Sequence, residues 1–430
     1  MRPLSTYLAA MFFALALTSC SKQQEQTPGG APVVQSGVGT ANAAVAPSST
    51  KGNWPCFLGP NRNGFSADAG DLQSWQSAQP AQLWNITMSD NGHSGPSVAD
   101  GRLYIIDHSG EQDIVRAVDI TNGKDLWTFP YPENAREDNG NARTTPTFDN
   151  GKLYILSRSG SLFCLDAAKG TKIWARNIQK EFNGRLPQWH YASSPVVDGN
   201  KLIIIPGGPN ACVAALDKNT GKTIWQGGGS DMDGYGAPVI ATINGQKQYV
   251  VFTAKNVIGV DANGGRVLWS YPWQTSYDVN AATPVVMGNA VFITSGYGTG
   301  CAMLDITAGG AKLRWRNKEM QSHFSTPLAY QGNIYGTTDP GDLVCLDGKT
   351  GRALWRQNGF EKGGVVGVGN KLIAMNGGGG DLVLCELSPA GYKELGRINP
   401  LGGKSWTAPI ATAGMLIVRN QRSLVCLSLK

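Results

Sequence analysis

Little in this chain speaks for the commonest kinds of chemistry. No run of lysine and arginine with interleaved aromatics occurs, so the electrostatic footprint of a nucleic-acid groove is absent. Charged residues make up only 16% of the 430, with a net charge of +6, which excludes an extended acidic or basic tail. The one long apolar run, Leu8 to Leu17, is shorter than the roughly 20 residues that cross a bilayer as a helix. None of the eight cysteines adjoins another, and none of the four histidines has a His or Cys at metal-ligand spacing. There is no Gly-x-Ser-x-Gly elbow. Gly377-Gly-Gly-Gly380 lacks the Lys-Ser/Thr of a phosphate loop and reads as a hairpin turn. Asp231-Met-Asp233-Gly lacks the third ligand position and the terminal Glu of a calcium loop. A helical period of 3.6 residues is missing as well.

What is present repeats. Asp, Gly and Trp recur at four-residue steps as Asp119-Gly123-Trp127, Asp166-Gly170-Trp174, Asp217-Gly221-Trp225, Asp261-Gly265-Trp269 and Asp347-Gly351-Trp355. Two copies are degraded: Asp305-Gly309-Trp315 carries two extra residues, and Leu387-Gly391-Leu395 has lost both the Asp and the Trp. A proline precedes each unit at Pro96, Pro146, Pro195, Pro238, Pro284, Pro327 and Pro409, with Val365 standing where an eighth is due. Eight units with a period of roughly 40 to 50 residues, each of about four short strands, predict an all-β, eight-bladed β-propeller. The Asp and Gly make the turn between the third and fourth strands, and the Trp packs between neighbouring blades, with Trp84, Trp127, Trp174, Trp225, Trp269, Trp315 and Trp355 as the docking set. The eighth unit stops after its third strand, so the strand around Gln82-Leu-Trp84-Asn-Ile is expected to complete it and close the ring.

Three segments follow. Residues 1–20 read as a lipoprotein signal peptide, because Leu17-Thr-Ser-Cys20 is similar to a bacterial lipobox, which implies lipid on Cys20; an ordinary signal peptide is the alternative. Ser21 after the cysteine resembles sorting to the outer membrane, on its periplasmic face. Residues 21–52 are Gln, Pro, Gly, Ala, Ser and Thr with almost no large apolar side chain and are expected to form a disordered tether. Residues 53–430 form the propeller. Cys164, Cys345, Cys385 and Cys426 share one place in their blades, too far apart for disulfides, while pairing among Cys56, Cys212 and Cys301 is left open.

Asp-x-x-x-Gly-Lys-x-x-Trp after Ala/Cys-Leu resembles the docking motif of pyrroloquinoline quinone (PQQ) dehydrogenases and of non-catalytic PQQ-like propellers, the BamB-like assembly lipoproteins among them. The segment Trp54-Pro-Cys-Phe-Leu-Gly-Pro-Asn-Arg-Asn-Gly64 is similar to the one that opens exported PQQ-like repeat proteins of planctomycete type, except that Leu58 replaces their usual arginine. Trp54, Phe57 and the two prolines are expected to plug one end of the ring.

Positions counted back from each proline fall on the innermost strand and the loop entering it. One step back lie Gly95, Thr145, Ser194, Ala237, Thr283, Thr326, Gly364 and Ala408, all small, as crowding about an axis requires. Three steps back lie His93, Arg143, Ala192, Tyr235, Ala281, Phe324, Lys362 and Trp406. Five steps back come Asn91, Asn141, His190, Asp233, Val279, Ser322, Phe360 and Lys404. The ligand-site candidates are His93, Arg143, His190, Asp233, Tyr235, Phe324, Lys362, Lys404 and Trp406. A flat anion would stack on Trp406 or Tyr235 and pair with Arg143. Two functions remain: a lipid-anchored, non-catalytic scaffold without cofactor or metal, binding an envelope protein, peptide or polymer; or, as the resemblance implies, a PQQ-dependent alcohol or sugar dehydrogenase with calcium. The missing adjacent cysteines and the scarcity of acids at the mouth favour the first.

Overall fold

The computed structural model describes residues 52–68, 72–89, 91–135 and 139–429. The expected signal peptide, Cys20 and the tether as far as Lys51 lie outside the described residues. Gly52, the last tether position, donates its N–H to both carboxylate oxygens of Asp68, at 3.0 and 2.9 Å.

Eight four-stranded antiparallel sheets make the ring. Blade one is Ser97–Ala99, Arg102–Ser109, Gln112–Asp119 and Asp125–Pro132, from the axis outward. The other innermost strands are Thr147–Asp149, Val196–Asp198, Val239–Ile243, Val285–Met287, Leu328–Tyr330, Val365–Val368 and Ile410–Thr412. Seven begin immediately after a proline of the repeat, which cannot donate to a ladder and is therefore confined to the strand's start. Blade seven begins at Val365 itself. Blade eight is completed from the other end of the chain: Gln82–Thr87 pairs antiparallel with Ser423–Ser428, Trp84 opposite Cys426 and Ile86 opposite Leu424. The seam is latched by Arg419, only 1% exposed, which donates to the carbonyls of Ser94 (3.0 Å), Gly92 (2.7 Å) and Asn420 (3.1 Å). A guanidinium so deep is tolerated because these carbonyls satisfy its donors.

The repeated turn works by hydrogen bonding. Asp217 Oδ1 accepts from the N–H groups of Asn219 and Thr220, and Gly221, at φ 73°, returns its N–H to Asp217 O at 2.8 Å. The same turn receives the tryptophan of the preceding blade. Trp127 lies against Gly170 so closely that a Cβ there would stand 2.5 Å from the ring, and its Nε1–H donates to Ala167 O, the carbonyl one past the Asp. Trp84, Trp174 and Trp315 donate to the equivalent carbonyls of Ile120, Lys218 and Gly348, and Trp355 donates to Ser388 O in the corresponding turn of blade seven. Two tryptophans dock by packing alone. Trp225 has no partner for its Nε1–H, while Ala262 O accepts from Lys201 Nζ, and Trp269 donates within its own blade to Gln248 Oε1. Ile306 O, the carbonyl it would otherwise reach, takes Asn244 Nδ2.

Blade seven departs from the sequence alignment. Its ladder puts Glu386, not Leu387, at the acidic place, and its bulge puts Gly396, not Leu395, where the tryptophan belongs. The vacancy is filled from elsewhere in the chain. Trp75, 3% exposed, packs on Gly396 so that a Cβ there would meet it at 2.5 Å, and Ser74 Oγ and Gln76 N both donate to Leu395 O.

The seven cysteines among the described residues are buried and free, which agrees with core positions for Cys164, Cys345, Cys385 and Cys426 and leaves Cys56, Cys212 and Cys301 unpaired. Among the described residues, no helix is long and apolar enough to cross a membrane.

Candidate functional site

The inner strands crowd the axis, and the small residues one step before each start do more than make room. Thr145 N donates to Ser194 Oγ, Ala237 N to Thr283 Oγ1 and Thr283 N to Thr326 Oγ1, so hydroxyls stitch neighbouring blades around the axis. One end of this channel is closed by residues 52–68. Trp54 exchanges backbone hydrogen bonds with Val98, Pro55 O accepts from Phe148 N, Arg62 Nη2 donates to Val197 O, Gly64 and Ser66 pair with Gly367, and Asp68 accepts from Ala413 N. These contacts reach blades one, two, three, seven and eight, and they make the segment a plug, as expected from its sequence.

Above the plug lies a cup of about 380 Å³ with Trp54, Phe57 and Leu58 in its floor. All eight residues three steps back from the repeat position line it: His93, Arg143, Ala192, Tyr235, Ala281, Phe324, Lys362 and Trp406. The period of two therefore carries through the first turn of each loop. It does not carry to five steps. Of that set only Val279 reaches the cavity wall.

Three site candidates are corrected on this point. Asp233 is 1% exposed and faces the scaffold, accepting from Tyr235 N and Ser193 Oγ at 2.9 Å each. Burial pushes its carboxyl up to about 7, against hydrogen bonds from Tyr235 and Ser193 that pull it down. His190 stands off the cavity wall in a loop whose backbone turns left-handed there, at φ 63°. Lys404 is exposed and places Nζ 4.3 Å from the Trp406 ring centroid, a cation–π contact beside the cup, whose lining does not include it.

The geometry also redefines three residues that do line the cup. Arg143 donates from Nε and Nη2 to Gly140 O, at 3.2 and 3.1 Å, and from Nη1 to the carbonyl of Trp189, so its fork braces two loops. Burial, reinforced by Arg419, Arg143 and Lys404, lowers His93 to about 3. Burial beside Lys362 lowers His323 to about 4. Both imidazoles are neutral at physiological pH and count as aromatic surface, not as cations.

Loop residues outside the repeat complete a collar. Ring contacts run from Tyr235 to Trp189 (6.4 Å between centroids), Tyr277 (5.8 Å), Tyr297 (5.5 Å), His323 (4.6 Å), Phe324 (5.2 Å), Trp406 (5.1 Å) and His93 (5.2 Å). Trp189, Tyr277, Tyr297 and His323 were not singled out from sequence, since no blade-to-blade period reaches them. Their one signal is the presence of large aromatic residues in loops that have no strand pattern to serve.

In sequence, the family described as outer membrane protein assembly factor BamB matches residues 44–135 and 110–357. The chain belongs to the BamB family of PQQ-like propellers. It is 23% identical over 315 residues to an outer membrane protein assembly factor BamB of Moranella endobia (strain PCIT), covering 65% of this chain and 72% of that one. It is also 27% identical over 154 residues to a quinohemoprotein alcohol dehydrogenase of Comamonas testosteroni, where it spans only 21% of the relative's length. A solved europium-containing methanol dehydrogenase shares the fold, with a TM-score of 0.67 at 12% identity over 88% of this chain and 98% of that one.

The cup of this BamB-family member fits PQQ and calcium poorly. Among the described residues no carboxylate lines it, and none form a cluster of acids, histidines or cysteines able to hold a metal ion. A calcium ion calls for six or more oxygen ligands, carboxylates foremost. The Arg143 fork that would grip a quinone carboxylate is directed to backbone carbonyls.

Proposed function

We propose that this chain is a non-catalytic scaffold, anchored by lipid on Cys20 in the bacterial cell envelope on the periplasmic side of the outer membrane, that binds another envelope component at the open mouth of its propeller. The observation that carries this reading is the wall of the cup, whose described lining residues bring rings and cations together and include no carboxylate. Such a wall can bind, but its described lining offers no general base near neutral pH: His93 and His323 are weak bases, Asp233 points into the scaffold, and Asp339, outside the lining, stands 4.0 Å from Lys362 Nζ and 3.9 Å from His323 Nδ1. Kinship with assembly factors named BamB supports a protein or peptide partner, with an envelope polymer as the remaining class.

Quinone-dependent alcohol or sugar oxidation is the competing function, favoured by the partial match to a quinohemoprotein alcohol dehydrogenase. Calorimetric titration of PQQ into the full chain, with and without calcium, separates the two. The scaffold reading predicts no saturable heat and no change in melting temperature. Micromolar or tighter binding that depends on calcium contradicts it.

A further inference from the structure

The collar is divided by charge. On blades seven, eight, one and two stand Lys362, Lys404 over Trp406, and Arg143, with buried Arg419 behind His93. On blades three to six the described residues lining the cup carry no charge, only Trp189, Tyr235, Tyr297, His323 and Phe324 among small residues; behind them Asp339 of blade six stands 3.9 Å from His323 Nδ1 and 4.0 Å from Lys362 Nζ, so Lys362 is shared between it and the mouth. The plug shuts the far end, so a chain cannot thread the ring; a side chain can only insert from the mouth.

At the rim of the cup the aromatic half continues as a rail through Tyr277, which lies outside the lining. Tyr277 is 60% exposed and Tyr297 40%, and both hold a left-handed backbone, at φ 63° and 54°. Bulky residues held this way at the surface cost conformational energy that packing does not explain, a pattern associated with binding loops. Trp189, Tyr277, Tyr297 and His323 meet edge to face at 73°, 64° and 71°. Ring edges are the positive end of the aromatic quadrupole, so the rail favours π faces and carboxylate oxygens over the flat stacking that sugars use. Tyr, Trp and Arg are also the residue types that dominate protein-binding surfaces.

From this geometry, and building on the scaffold reading above, we infer that the mouth recognises an acidic peptide segment, whose aromatic or large aliphatic side chain enters the cup while flanking carboxylates face Lys362 on the wall and the exposed Lys404 beside Trp406. The test is fluorescence anisotropy with the full chain and dye-labelled Gly/Ser peptides carrying a central Glu-Phe-Glu, Lys-Phe-Lys or Glu-Ser-Glu. Glu-Phe-Glu is expected to bind saturably, and the other two at least about tenfold more weakly. Rising salt should weaken the first peptide on the unaltered chain. Lys362→Glu, with its melting curve as a check on folding, should weaken Glu-Phe-Glu about tenfold and favour Lys-Phe-Lys. Equal binding of all three peptides, or none by any, overturns the inference while leaving the scaffold reading for another partner class. Saturation by PQQ with calcium removes the scaffold reading itself.

Discussion

The two ends of this ring are built from different materials. The plugged end is backbone: residues 52–68 exchange main-chain hydrogen bonds with inner strands of blade after blade, and Trp54 is 3% exposed beneath them. The open end is side chain: eight rings in contact, two lysines and an arginine, with loops whose turns are made by residues as large as Tyr235, Tyr277, Tyr297 and Lys362. Left-handed backbone in bulky residues occurs at both ends, but at the plug Arg62 is fixed by Nη2 on Val197 O, and Leu58 by Gly64 N on its carbonyl. At the mouth Tyr277 and Tyr297 have mainly other rings to lean on. One end is closed by backbone and the other is open, lined by side chains.

If that division is right, substitutions should fall on stability at one end and on binding at the other. The largest effect is expected for Trp54→Ala, which empties a buried site in the plug beneath the cup. A loss of about 3–5 kcal/mol in urea unfolding is predicted. Trp75→Ala comes next, at about 3 kcal/mol, because it empties the gap that blade seven leaves beside blade eight. A loss below about 1 kcal/mol there would mean that the seam does not depend on the borrowed tryptophan.

The effect of pH sharpens the picture at the boundary between the two ends. Asp233 holds its proton more tightly in the folded chain, at about 7, than a carboxyl does when unfolded. Its contribution therefore favours folding fully below about pH 4 and is lost as pH rises to about 7. His93 works the other way, since its imidazole resists the proton down to about 3 and acid below about pH 6.5 destabilises through it. The difference in melting temperature between Asp233→Asn and the unaltered chain isolates the first. The variant should gain relative stability as pH climbs from 4 to 8, and a difference that stays flat would place the Asp233 carboxyl in its ordinary range. The smallest effect is predicted for Tyr297→Ser, which should change stability by less than about 0.5 kcal/mol while weakening any ligand of the mouth.

The sequence recorded whatever the ring repeats. Eight blades, the Asp-to-Gly turn, the closing strand at Trp84 and the three-back positions of the cup all follow from constraints imposed eight times over. Where the constraint stops, so did legibility. Asp233 and His190 were misplaced because loops do not keep a strand's period of two. Blade seven was misaligned because Glu386 and Gly396 substitute for the motif, and nothing local to Gly396 announces that Trp75, 321 residues earlier, stands in. Trp189, Tyr277 and Tyr297 belong to single loops, and their meeting is a property of the assembled mouth.

Amide hydrogen exchange on the full chain tests the division most directly, because it reads both ends at once. The account predicts that amides of Trp54, Gly64, Ser66 and Gly367 exchange as slowly as those of the inner strands, while the loops around Trp189, Tyr277 and Tyr297 exchange fast and slow down when the Glu-Phe-Glu peptide is added. A plug that exchanges as fast as the mouth, or a mouth already as protected as the plug, would contradict it.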